Sequence, residues 1–266
     1  MIDQNLHHNP VALDSARHRT LRLAMPVTDW SVAARLNAIF VAAAEFADVC
    51  RDFPIVFVRV GKEPDGKDQI APIAVLGLLQ GQNLFLDGGT WRARYIPAVL
   101  RSYPFCIGRI DDARFAICVD MGWPGVQADG QGGGAAVFEG DGRPAPLLAE
   151  AQKQLEALEG EIQRTRLVGA RLLELGVLRD MQFDATLPDG STQHVDGFLT
   201  VDEQKMQDLP DAVVAELHRS GLLGLVQLHW VSLGNLRRLV DWHVERGRAA
   251  VAAQPATPAD AGATKH

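Results

Sequence analysis

At 266 residues the chain can bury a substantial core, in one large domain or two small ones. Its 47% hydrophobic and 22% charged residues are an ordinary globular composition. A formal charge of −7 argues against generic nucleic-acid binding, which needs a positive field to displace counterions.

Residues 1–20 are polar, include His7, His8 and His18, and show no apolar period, so they read as a loose arm. The first residues lack the basic and apolar regions of a signal peptide. No run reaches the ~20 apolar residues of a membrane span, so the expected compartment is the cytoplasm. Thr28-Asp29-Trp30 predicts the cap of an alanine-rich helix through Ala33, Leu36, Ile39 and Phe40, ending near Cys50. Asp52-Phe53-Pro54 breaks it, and Ile55-Val56-Phe57-Val58 then reads as a buried strand. A charged loop covers 61–69. Residues 73–79 and 83–86, about the turn Gln80-Gly81-Gln82, predict a hairpin; 105–110 and 114–120 predict a second. Between them, Tyr95-Ile96-Pro97 predicts a short helix with proline in its first turn.

Seven glycines over 123–142 predict a mobile loop around one apolar element, 135–138. The clearest helix is predicted over 146–178. Leu148, Leu155, Leu158, Ile162 and Leu172 share one stripe, with Glu150, Lys153, Glu156, Glu159, Glu161 and Arg164 on the other face. Gly160, Gly169 and Gly176 are its weak points. A further hairpin pairs 181–187 with 192–200 across Pro188-Asp189-Gly190-Ser191. Val201-Asp202-Glu203 and Leu209-Pro210-Asp211 each open a short helix, the second ended by Gly221. The apolar run 222–230 fits strand or helix by pattern and is read as a buried strand, leading into a helix over 232–246. The Ala-, Pro- and Thr-rich tail is expected to be disordered. The sum is an α+β fold: an antiparallel sheet of hairpins in the first half, packed with helices mainly from the second. It has an arm over 1–20, a single domain over 21–247 and a tail over 248–266.

Several strings resemble, in order, those of SapC-like bacterial proteins. They are Phe53-Pro54-Ile55-Val56-Phe57, Leu76-Gly77-Leu78 and Asn83-Leu84-Phe85-Leu86-Asp87. Trp91, Tyr95-Ile96-Pro97-Ala98 and Arg101-Ser102-Tyr103-Pro104-Phe105 follow, then Cys118-Val119-Asp120 and Leu147-Leu148. Gly197-Phe198, Val201-Asp202-Glu203, Lys205, Leu209, His229, Ser232-Leu233 and Leu236 complete the series, over about 19–239. The resemblance implies a link to bacterial surface layers, and to genes for halogenase-like and cupin-like proteins and TonB-dependent receptors. It supplies no catalytic residues.

The densest chemical patch is Trp91, Arg92, Arg94 and Tyr95, followed by Arg101 and Tyr103. Arginine forks match carboxylates and phosphates, and aromatic faces stack on planar groups or sugars. The expected partner is a protein or peptide, with a small carboxylate or sugar as the ligand class. The competing structural use closes the end of the sheet with Trp91, Tyr95 and Phe105 and pairs the arginines with Asp87, Asp111 or Asp120. His229, with Asp202 and Glu203, is the candidate acid–base set. The plainer uses are a hydrogen-bonded core histidine and a helix cap. Ser232 lacks a nucleophile elbow and reads as an N-cap. No two histidines fall at the i, i+4 spacing of a helical metal site, there is no CxxC or HExxH string, and neither metal nor cofactor is expected. Cys50, Cys106 and Cys118 are expected as reduced buried thiols; Cys106 and Cys118 flank the string Asp111-Asp112-Ala113, where a disulfide across the hairpin is the alternative.

Overall fold

The structure is a computed structural model describing residues 2–63, 66–109, 115–186 and 192–252. The strands in chain order are β1 (Pro10–Ala12), β2 (Arg22–Leu23), β3 (Ala38–Phe40), β4 (Ile55–Lys62), β5 (Asp68–Val75), β6 (Leu86–Asp87) and β7 (Thr90–Trp91). They continue with β8 (Phe105–Arg109), β9 (Phe115–Asp120), β10 (Val126–Gln127), β11 (Ala135–Ala136), β12 (Leu178–Thr186) and β13 (Thr192–Val201). The α-helices are α1 (Phe46–Val49), α2 (Ala98–Arg101), α3 (Pro146–Glu174), α4 (Glu203–Gln207), α5 (Asp211–Arg219), α6 (Leu222–Leu233) and α7 (Asn235–Ala252).

The fold is α+β with antiparallel sheets. The main sheet runs β12-β13-β4-β5-β3, and a second runs β1-β9-β8. Strand β4 sits at the centre because Ile55, Val56 and Phe57 are buried, which favours β-branched and aromatic side chains there. The predicted hairpins β8–β9 and β12–β13 form; the turn proposed at 188–191 lies outside the described residues. Helix α3 is a single unbroken rod. Its predicted stripe is buried at Leu148, Leu155, Ile162 and Leu172, while Gly176, at φ +65°, follows its end. Gly169 is a contact rather than a break: a Cβ there would lie 2.8 Å from the Ile70 carbonyl oxygen of β5.

Five expectations are corrected. The arm expected over 1–20 is anchored among its described residues: β1 pairs with β9, and Leu6 and His7 are buried. The helix expected from Thr28 to Cys50 is instead two 3₁₀ turns, the strand β3 and the single-turn α1. Ala38, Ile39 and Phe40 gain a ladder with Val75, Ala74 and Ile73, and sheet pairing outweighs alanine's helix preference. The hairpin expected between 73–79 and 83–86 has only the bond from Leu84 N–H to the Leu76 carbonyl. Strand β5 pairs with β4 and β3 instead, and the tight turn falls at Gly88-Gly89 between β6 and β7. Both glycines have positive φ, +54° and +92°, as a two-residue hairpin turn demands. Finally, 222–230 is the helix α6: Leu222, Val226, His229 and Ser232 recur at helical spacing and form its buried face. The tail proposed over 248–266 overlaps α7 as far as Ala252, and residues 253–266 lie outside the described residues.

Candidate functional site

The patch at 91–105 is built around the β6–β7 turn. Trp91 follows that turn, and its Nε1–H donates to the Tyr95 carbonyl at 2.9 Å, closing the loop between them. Its ring lies 5.9 Å from Phe85, 6.1 Å from Phe53 and 6.4 Å from Trp30. The Arg92 guanidinium lies 4.2 Å over the Trp242 ring of α7, which packs nearly perpendicular to Phe85. Arg246 of α7 donates to the carbonyls of Asn83 and Leu86. Arg92, Phe85 and Arg246 therefore tie the last helix to the β6–β7 segment, while Trp91 packs on Phe85, Phe53 and Trp30.

Tyr95 and Arg101 lean on a buried carboxylate that the sequence did not signal. The Tyr95 hydroxyl and the Ala98 N–H both donate to Glu45 Oε1, at 2.8 and 2.7 Å, and Ala42 N–H donates to Oε2. Burial, helped by Glu45, raises the Tyr95 hydroxyl above its ordinary pKa. The Arg101 guanidinium lies 5.1 Å from the Tyr95 ring centre. Together with Ser102, Gln154, Leu158 and Glu161 these residues line a cleft of about 520 Å³ beside α3. Arg94 and Arg101 are exposed, with no carboxylate in ion-pair contact among the described residues.

Tyr103 belongs to a different cluster. It is buried, and its hydroxyl donates to Asp120 Oδ2 at 2.9 Å. Asp120 has no exposure and also accepts the backbone N–H groups of His8, Asn9 and Gly122. Burial pushes its pKa up, but these bonds outweigh that and hold the carboxyl below its ordinary value. Asp120 thus accepts backbone and tyrosine donors, and the arginine pairing considered for it does not occur. No local string marks Glu45 or Asp120 as buried; both are set by elements distant in sequence.

The acid–base candidates serve the fold. His229 has no exposure; its Nδ1–H donates to the Ile55 carbonyl at 2.8 Å, and Nε2 accepts from Val201 N–H and the Thr200 hydroxyl. Burial pushes its pKa down to about 4. Asp202 caps α4 by accepting Lys205 N–H, and its carboxylate lies 3.6 Å from Arg179. Glu203 is an exposed first-turn acid. Ser232 is interior to α6 rather than an N-cap: it accepts the Ile55 N–H and donates to the His229 carbonyl. Cys106 and Cys118 are directly opposed and free, and burial pushes the Cys106 thiol up to about 12. Among the described residues no group of three or more His, Cys, Asp or Glu could hold a metal ion. None of their helices is long and apolar enough to cross a membrane.

Comparison with protein families matches SapC over residues 13–239. No curated protein and no solved structure matches the chain.

Proposed function

The chain belongs to the SapC family, and from that premise we propose that it acts without catalysis, as a binding or adaptor protein of a bacterial surface-layer or uptake system. Its ligand in this reading is a protein or peptide segment that presents a carboxylate to Arg101 and Arg94. The observation that carries the reading is the division of labour in the patch. Trp91, Arg92, Tyr95 and Tyr103 are fixed by internal contacts, while the two remaining guanidiniums are exposed, one of them on a 520 Å³ cleft. Exposed arginine forks with no carboxylate partner among the described residues suit bidentate recognition of a carboxylate, and the stack of Arg101 on Tyr95 limits the side-chain order that this fork loses on binding.

Against the acid–base alternative stand the buried ring of His229, with both nitrogens engaged, and the capping role of Asp202. The binding reading takes the cytoplasm as its compartment, which fractionation of the native host tests. Native mass spectrometry of protein purified from that host identifies the bound peptide or protein. Arg101→Ala and Arg94→Ala should each weaken its capture about tenfold, with an unchanged melting temperature. Amidation of the peptide carboxylate should weaken binding to the parent protein to the same degree. Equal capture by parent and both variants would overturn the assignment.

A further inference from the structure

The solvent face of α3 has a pattern that its own fold does not explain. The helix buries Leu148, Leu155, Ile162 and Leu172 inward, yet Leu167 on the outer side is 71% exposed. Two interior glycines differ in kind. Gly169 is required by contact with Ile70, whereas a Cβ at Gly160 would meet nothing nearer than an Arg164 guanidinium nitrogen at 3.7 Å. Glycine in a helix interior is unfavourable relative to alanine, so Gly160 weakens α3 without serving the protomer.

We propose that this face is where a second copy of the chain docks, with the two α3 helices antiparallel about a two-fold axis between residues 163 and 164. In that register Leu167 of each copy faces Gly160 of the other, and Ala157 faces Ala170. Glu156 faces Arg171 and Lys153 faces Glu174, each pair occurring twice by symmetry. Glycine is the residue that lets a leucine seat directly opposite at close helix separation.

Charge complementarity selects this occupant. The acids Glu150, Glu156, Glu159 and Glu161 precede the bases Arg164, Arg166 and Arg171 along the helix. The two residues that break the order, Lys153 and Glu174, face each other in the register. The helix dipole does not account for the order, because it acts within the terminal turns and disfavours an acid such as Glu174 at the C-terminal end. A parallel arrangement would set each charge against its own copy. Arg171 already bridges Glu174 and Glu216, so Glu156 of the second copy would extend an existing network. This inference does not rest on the ligand reading above.

Sedimentation equilibrium of the full chain tests it without any ligand. The parent protein should form a dimer below about 100 µM. Leu167→Asp, at an exposed position, should give a folded monomer. Lys153→Glu should weaken the dimer about tenfold or more, and adding Glu174→Lys should restore it. Gly160→Ala separates the two roles of that residue. It should weaken the dimer, yet raise the melting temperature of the Leu167→Asp monomer by improving the helix. Circular dichroism verifies that each variant is folded. A monomeric parent at that concentration overturns the proposal, as does a dimer that Leu167→Asp and Lys153→Glu leave intact.

Discussion

Asp120→Asn tests whether the first residues of the chain are held by one buried carboxylate. The carboxylate receives four donors: Asn9 and Gly122 N–H on Oδ1, and His8 N–H and Tyr103 O–H on Oδ2. An asparagine amide keeps only one acceptor oxygen, so its NH₂ group must face one of these donor pairs. If it replaces Oδ2, the tyrosine hydroxyl can turn to accept, but His8 N–H is left without a partner. A buried unsatisfied donor costs about 1–3 kcal/mol, and the loss of charge assistance adds roughly 1 more, giving about 2–4 kcal/mol in all. Urea denaturation at neutral pH reads that loss. The pH dependence has a definite sign. The folded-state pKa of Asp120 lies below its unfolded value of 3.8, so its ionised form stabilises the fold above that value. The contribution is lost as pH falls through the folded pKa. Asp120→Asn should therefore lose stability at pH 7 and show a flatter dependence in acid. Limited proteolysis should cut the variant first within residues 2–12. A stability change under about 0.5 kcal/mol would refute the reasoning.

His229 gives a second acid response. Its pKa falls from 6.5 to about 4 on folding, so between these values the unfolded chain takes up a proton that the folded chain refuses. Stability should decline over that window by up to roughly 3 kcal/mol, and His229→Gln should flatten the decline while costing stability at pH 7.5. An NMR titration placing the ring near pH 6.5 would sink this account. Gly169→Ala should destabilise despite alanine's advantage of about 1 kcal/mol in a helix. The new Cβ would lie 2.8 Å from the Ile70 oxygen and 2.9 Å from Ile70 Cγ1, and that carbonyl is fixed in β5. A net loss of about 1–3 kcal/mol is expected in urea, and a gain would show that the helix shifts freely.

The elements legible in the sequence were those whose signals are local. The β8 and β9 runs lie on either side of the polar string Asp111-Asp112, the α3 stripe repeats over many turns, and Asp202 precedes its helix as an N-cap. Elements decided by distant partners are not legible there. Ala38-Ile39-Phe40 has helix-forming neighbours, yet becomes a strand because β5 offers an open edge. The run 222–230 has no polar break that separates strand from helix. Its helical form is favoured by what the helix delivers: His229 and Ser232 on one face, together engaging both the N–H and the carbonyl of Ile55. β1 is only three residues long, and its docking rests on the β9 ladder and on Asp120, more than a hundred positions away.

The same distinction governs the candidate site. Aromatic and arginine residues are dense over 91–105 because several elements converge there, and residue type alone cannot separate a floor from a binding face. Hydrogen-bond accounting can. Once the Trp91 indole, the Tyr95 and Tyr103 hydroxyls and the Arg92 guanidinium are assigned to internal partners, only Arg94 and Arg101 among the six candidates retain exposed guanidiniums without an assigned polar or carboxylate partner or a stack that docks another helix. Arg101 still rests on Tyr95, whose hydroxyl is fixed by Glu45, so the fork stands on an immobilised ring. Glu45 therefore acts on the proposed site from beneath it. Removing this carboxylate would free Tyr95 and the N–H of Ala98 at the start of α2, loosening Arg101 without touching it.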